Sequence, residues 1–148
     1  MKYIHFSSGP LKQVHSVVND MSGELAWTKP EGLWISVDQS WKEFAQKEGL
    51  GSFDYATEVI LSESANILII NSVQDLDSFT IQYGTKLDNI IDCIDWQRVA
   101  SHYDGIIIGT YLWERRITYL WYYGWNCASG CIWNADAVAQ LRPIEEVN

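Results

Sequence analysis

At 148 residues, with 47% hydrophobic and 20% charged side chains, the chain is long enough for one continuous core and excludes the low-hydrophobicity, high-charge signature of disorder. A formal net charge of -9 sets any phosphate backbone against net repulsion, which makes nucleic acid an unlikely main partner. The opening residues lack the apolar run of a signal peptide and no window approaches the roughly 20 apolar residues that span a bilayer, so a cytoplasmic single domain over residues 1–148 with no membrane partner is expected.

Lys2 to Phe6 alternates as a short strand that stops at the turn formers Ser7, Ser8, Gly9 and Pro10. Leu11, Val14, Val17 and Val18 have helical spacing and predict one or two helical turns, closed by Asn19 to Gly23. After the Lys29-Pro30-Glu31-Gly32 turn, Leu33 to Val37 has the β-branched and aromatic content of a strand. Asp38 or Ser40 is then expected to cap a helix through Trp41, Phe44 and Ala45, with glycines in Glu48 to Gly51 as its stop.

Tyr55 to Leu61 and Ile67 to Ile70 read as strands joined by a hairpin or another tight connection. A helix starts within Asn71 to Asp75, carries Leu76, Phe79 and Tyr83 on one face and ends at Gly84, and a second short helix is expected over Ile94 to Ala100. Ile106-Ile107-Ile108 is uniformly β-branched, as in a central strand buried on both faces. The aromatic stretch Tyr111 to Trp125 has no clear period. Cys131-Ile132-Trp133 reads as a last strand, followed by a terminal segment from Ala137 to Leu141. Short strands mixed with short helices, without regular alternation, predict an α+β fold.

Neither G-x-G-x-x-G nor G-x-x-x-x-G-K-[ST] occurs, and a G-x-S-x-G elbow is also missing. Cys127 and Cys131 make half of a zinc site at most, with Cys93 and His102 as remote further ligands, and two buried thiols are the simpler reading. A Cys-His hydrolase pairing Cys127 or Cys131 with His5 or His102 is a weaker alternative. Three cysteines also suit a reducing compartment better than a disulfide framework.

Three segments in order resemble a family. Tyr3-Ile4-His5-Phe6-Ser7 is similar to the His-bearing first strand of diphtheria-toxin-like and related ADP-ribosyltransferases, and Gly32-Leu33-Trp34-Ile35-Ser36 to their second strand. Tyr103-Asp104-Gly105-Ile106-Ile107-Ile108, with Cys131 to Val138 after it, resembles the later strands. The resemblance implies a split β-sandwich of two small sheets with peripheral helices and NAD, as substrate, in the cleft between them. It implies a mono-ADP-ribosyltransferase or NAD glycohydrolase acting on a protein target, as among bacterial toxins and phage effectors. His5 takes the ribose, with Ser7 beside it; Gly32 lets backbone approach nicotinamide; Trp34 or Ser36 forms the nicotinamide platform. Where the family has its catalytic Glu this chain has Asn126, Cys127, Ala128, Ser129 and Gly130, so Asn126 and Ser129 take that place, or Glu114 or Asp104 reaches the ribose from elsewhere. The stretch Tyr111 to Trp125 falls where the family contacts its protein target. A non-catalytic protein-binding module with a degenerate NAD cleft is the alternative.

Overall fold

The computed structural model describes residues 1–22, 28–50, 53–87 and 90–144. Strands β1 (Tyr3–Ser7) and β2 (Leu33–Val37) come first, then helix α1 (Ser40–Lys47) and strands β3 (Tyr55–Leu61) and β4 (Ile67–Ile70). Helix α2 (Val73–Tyr83) leads into β5 (Gly84–Leu87) and β6 (Ile90–Ile94), α3 (Trp96–His102) and β7 (Gly105–Ile108). The short helix α4 (Leu120–Tyr123), β8 (Ser129–Ile132) and β9 (Val138–Ile144) close the chain, giving a mixed α+β fold.

Seven strands form one sheet in the order β4-β7-β8-β2-β1-β3-β9, and β5 and β6 form a separate antiparallel pair. One large sheet and a hairpin therefore stand where two small sheets were expected. The cause is β8, whose residues 129–132 pair with β2 on one side and β7 on the other, joining both halves. Close approach there depends on Gly130: a Cβ on it would lie 2.6 Å from the Ile106 carbonyl oxygen.

Period-2 alternation assigns the two faces. Ile106, Ile108 and Cys131 face a core under α2 and α3 built from Leu76, Phe79, Trp96 and Trp121, whereas Ile35, Ile107 and Ile132 face a second cluster with Val37, Val59 and Ala137. All four residues of β7 are buried, as its β-branched run predicts. Ser72 caps α2 by accepting from the Asp75 N–H, and Asp95 caps α3 by accepting from the Arg98 N–H.

Several local expectations are corrected. Leu11 to Val18 forms no helix: the Val17 N–H donates to the Trp133 carbonyl, and Val18 stays exposed. Three valines in so short a segment favour this extended course over a helical nucleus. β3 and β4 share no ladder; β3 lies between β1 and β9, and β4 runs parallel to β7 at the opposite edge. Neither Asp38 nor Ser40 caps α1; Gln39 holds that position, and the Ser36 hydroxyl accepts the Trp41 N–H. The helix expected from Ile94 begins at Trp96, since Ile94 completes β6. β8 ends at Ile132, and β9 rather than β8 is the last strand. Gly49, at φ 68°, provides the expected left-handed exit from α1, whereas Gly23 and Gly51 lie outside the described residues.

The aromatic stretch holds no strand. It contains a 3-10 turn at Trp113–Arg115 and then α4, and it divides by exposure. Trp121, Tyr122 and Trp125 are buried, while Trp113 and Tyr123 are exposed. The Trp121 indole donates to the Thr80 hydroxyl at 3.1 Å, and the Tyr122 hydroxyl accepts the Leu112 N–H at 2.8 Å. Asp77 on α2 ties the stretch down, pairing with the Arg115 guanidinium at 2.9 and 3.0 Å and accepting from the Tyr119 hydroxyl at 2.7 Å.

Candidate functional site

A cleft of about 370 Å³ opens between β1 and β2 on one side and the segment before β8 on the other. His5, Trp34, Ser36, Asn126 and Ser129 all line it. Residues that stand far apart in sequence thus meet in one place, because β2 pairs with both β1 and β8. Trp34 and Ser36 share one face of β2, as strand alternation requires.

His5 has the most informative geometry. Its Nδ1 lies 2.7 Å from the Trp34 carbonyl oxygen, which can only accept, so Nδ1 carries the proton. In the neutral ring Nε2 is then unprotonated and has acceptor capacity. Backbone pairing on β1 holds the ring in place, with His5 opposite Thr57 of β3.

The other expected residues divide. Trp34 meets Trp125 edge-on, with ring centroids 5.0 Å apart, and the Lys29 ammonium sits 5.7 Å from the Trp34 centroid. Ser36 is buried and occupied: its hydroxyl donates to the Asp38 carbonyl at 3.0 Å and receives the Trp41 N–H at 3.0 Å, so it anchors the start of α1. Ser129 donates to the Cys127 carbonyl at 3.0 Å. Among the described residues the Asn126 amide makes only long contacts, 3.5 Å to the Gly124 carbonyl and 3.5 Å from Arg116 Nη2, and keeps hydrogen-bonding capacity.

Ser7 and Gly32 lie outside the cleft lining. Ser7 donates to the Gly9 carbonyl at 2.6 Å, closing the turn after β1. Gly32 borders a neighbouring depression with Lys29 and Glu31, and a Cβ on it would fall on the Ile132 carbonyl. Its need for glycine is met by strand packing.

Among the described residues no carboxylate lines the cleft. Asp104 accepts from the Asn66 N–H at 2.9 Å and the Asn134 amide at 2.8 Å, which fixes the loop before β7. Glu114 is exposed on the 3-10 turn. Neither is part of the cleft lining.

The thiols are poor nucleophiles. Burial pushes Cys131 well above the ordinary thiol range and raises Cys127 as well, so neither favours the thiolate. The His102 ring is engaged through Nδ1 with the Tyr83 hydroxyl at 2.8 Å. Among the described residues no three His, Cys, Asp or Glu side chains are grouped to hold a metal ion.

Most of the lining carries no signal in the sequence as a site. Phe53 links the Phe6 and Trp41 rings at centroid distances of 6.2 and 6.1 Å, making an aromatic corner from three separate segments. Lys29 reads as a turn residue and Trp125 as one of many aromatics. Only the fold brings them to the cleft; the one local signal was the density of Trp and Tyr. No protein-family model, curated protein or solved structure matches this chain.

Proposed function

We propose that the cleft binds NAD and that the protein is a mono-ADP-ribosyltransferase or NAD glycohydrolase on an ADP-ribosyltransferase-like fold, acting on a protein target. The observation that carries this reading is His5, whose proton is committed to the Trp34 carbonyl and whose Nε2 is left to accept a ribose hydroxyl. The aromatic corner of Phe6, Trp41 and Phe53 suits the positively charged nicotinamide ring, since a ring face attracts a cation. In the reaction the bond between ribose C1′ and the nicotinamide nitrogen breaks, and its electron pair leaves with nicotinamide. A nucleophile, a target side chain or water, bonds to C1′ and loses its proton to solvent. Positive charge builds on the ribose meanwhile, and dipoles aimed at it lower the barrier. Asn126, whose side-chain carbonyl receives a long 3.5 Å contact from Arg116 Nη2, is the lining amide that offers a carbonyl dipole for that task. The exposed Trp113 and Tyr123 form the surface offered to the target.

A second reading is favoured by the absence of a carboxylate among the described lining residues: the cleft binds NAD without turning it over, and the aromatic surface grips a partner. Incubation with NAD while following nicotinamide release separates the two. Release that falls at least tenfold in His5→Ala supports the enzyme. NAD binding without release supports the binding module, and absence of both removes the NAD reading.

A further inference from the structure

The seven-stranded sheet ends in two unlike edges, β9 and β4. An outer strand leaves every second backbone N–H and C=O without a ladder partner, and proteins blunt such edges with proline, charge or a bulge. β9 follows that pattern: it carries Pro143, an Arg142 paired with Glu58 at 3.6 Å, and a register shift at Ile60 and Leu61 of β3. β4 has none of these devices. It reads Ile67-Leu68-Ile69-Ile70, its register with β7 is unbroken, and no charged residue occurs from Ser64 to Gln74 in a chain of net charge -9.

β4 is also held in place at both ends. The Asn66 N–H donates to the Asp104 carboxylate at 2.9 Å, the Asn66 amide donates to the His102 carbonyl at 2.9 Å, and the Gly109 N–H donates to the Ile70 carbonyl at 3.0 Å. The last bond turns the backbone of Ile70 toward β7, so by alternation Ile67 and Ile69 aim theirs outward. Among the described residues no hydrogen bond outside the β7 ladder reaches either one. Ile67 packs against the second core cluster, yet Ile69, two residues on and on the same face, is 47% exposed. A fixed strand with free backbone groups loses little entropy when another strand joins it.

We infer that the free edge of β4 pairs antiparallel with β4 of a second copy of this chain, about a two-fold axis at Leu68, which joins two sheets into one. The outward residues set that register. Ile67 exchanges both backbone hydrogen bonds with Ile69 of the second copy, Ile69 does the same with its Ile67, and Leu68 meets Leu68 on the opposite face. Ile69 then lies beside an isoleucine that packs on the second cluster, and its exposed surface is covered. Two acidic chains repel in general, and this uncharged strip lets them approach without setting like charges opposite each other. An extended peptide of another protein suits the edge less well, because such recognition takes its specificity from pockets beside the strand. Neither the cleft nor the depressions at Gly32 and at Trp133 include a β4 residue. Since Pro143 and Arg142 blunt β9, growth stops at the closed dimer instead of running on as a filament.

The test is sedimentation equilibrium of the full chain over a wide concentration range, for wild type, Ile69→Lys, Ile69→Thr and Trp113→Ser, with circular dichroism to verify folding. Wild type is expected to dimerise weakly, because one short ladder is smaller than a standard interface. Ile69→Lys is expected to weaken association at least tenfold, whereas the β-branched Ile69→Thr and the distant Trp113→Ser stay within a few fold of wild type. Amide hydrogen exchange on the unaltered chain reads the pairing itself: protection at Ile67 and Ile69 should rise with protein concentration, while Leu68, which faces β7, is protected throughout. A monomer at every concentration up to about 1 mM would overturn the proposal. So would a dimer that persists in folded Ile69→Lys and is lost in Trp113→Ser, or a dimer in which exchange at Ile67 and Ile69 is unchanged. The cleft stands on β1 and β2, separated from this edge by β7 and β8, so Ile69→Lys should bind NAD as wild type does, and absence of NAD binding would leave the dimer standing.

Discussion

The two walls of the cleft are built by different means. His5 and Trp34 stand on β1 and β2, where ladder hydrogen bonds fix each side chain by register. Trp125 and Asn126 stand on an irregular segment that no ladder reaches, held by packing beneath it: Trp121 lies under Trp125 at 6.2 Å between centroids, and Asp77 pins Arg115 and Tyr119 further back. A strand wall is positioned by its backbone, and a loop wall by the core under it. Substitutions far from the cleft should therefore disturb the loop wall more easily.

The largest effect should come from Trp121→Ala, which empties a fully buried site in the core. It should cost about 3–5 kcal/mol, read as a fall in the urea midpoint, and should weaken ligand binding by freeing Trp125. Unchanged binding at a reduced midpoint would show that the loop wall does not depend on this core. Gly130→Ala should come next, at about 1–3 kcal/mol, because the added methyl presses on the Ile106 carbonyl where β8 joins β7. A stability equal to wild type would contradict the close approach that unites the halves of the sheet.

The contrast between walls is also what made one legible and the other not. β1, β2 and β7 announce themselves by alternation and β-branching, and once β2 is a strand, Trp34 and Ser36 must share a face. The place of His5 on a strand followed in the same way, and its site role came from the family resemblance alone. The role of Ser36 did not, since its hydroxyl serves a helix start that the sequence places at Asp38 or Ser40. The valine spacing after Pro10 imitated a helix, and the docking of Val17 on Trp133 that overrides it is a tertiary event. Likewise Phe53 and Trp125 reach the cleft through contacts between distant segments, which no local pattern encodes. Within Tyr111 to Trp125, buried and exposed aromatics alternate without helical or strand period, so sequence could not separate core from surface.

The smallest effect concerns the pin behind the loop wall. Arg115 and Tyr119 hold the Asp77 carboxyl below the ordinary carboxylate range. A depressed folded-state value means a contribution that is complete above the unfolded pKa of about 4 and is lost as pH falls through the folded value. Asp77→Asn should thus lower stability near neutrality by under about 1 kcal/mol and flatten the loss of stability in that acid range. An unaltered acid limb in urea titrations at stepped pH would show that the pair contributes nothing.

The proposed function rests on His5 as the acceptor of a ligand hydroxyl. Titration of NAD into wild type and His5→Ala, at one salt concentration, reads this directly. Measurable heat with wild type and an affinity about tenfold weaker in the variant is the expected result, the equivalent of one charge-neutral hydrogen bond. Absence of NAD binding by the wild type, or equal affinity in the folded variant, would contradict it.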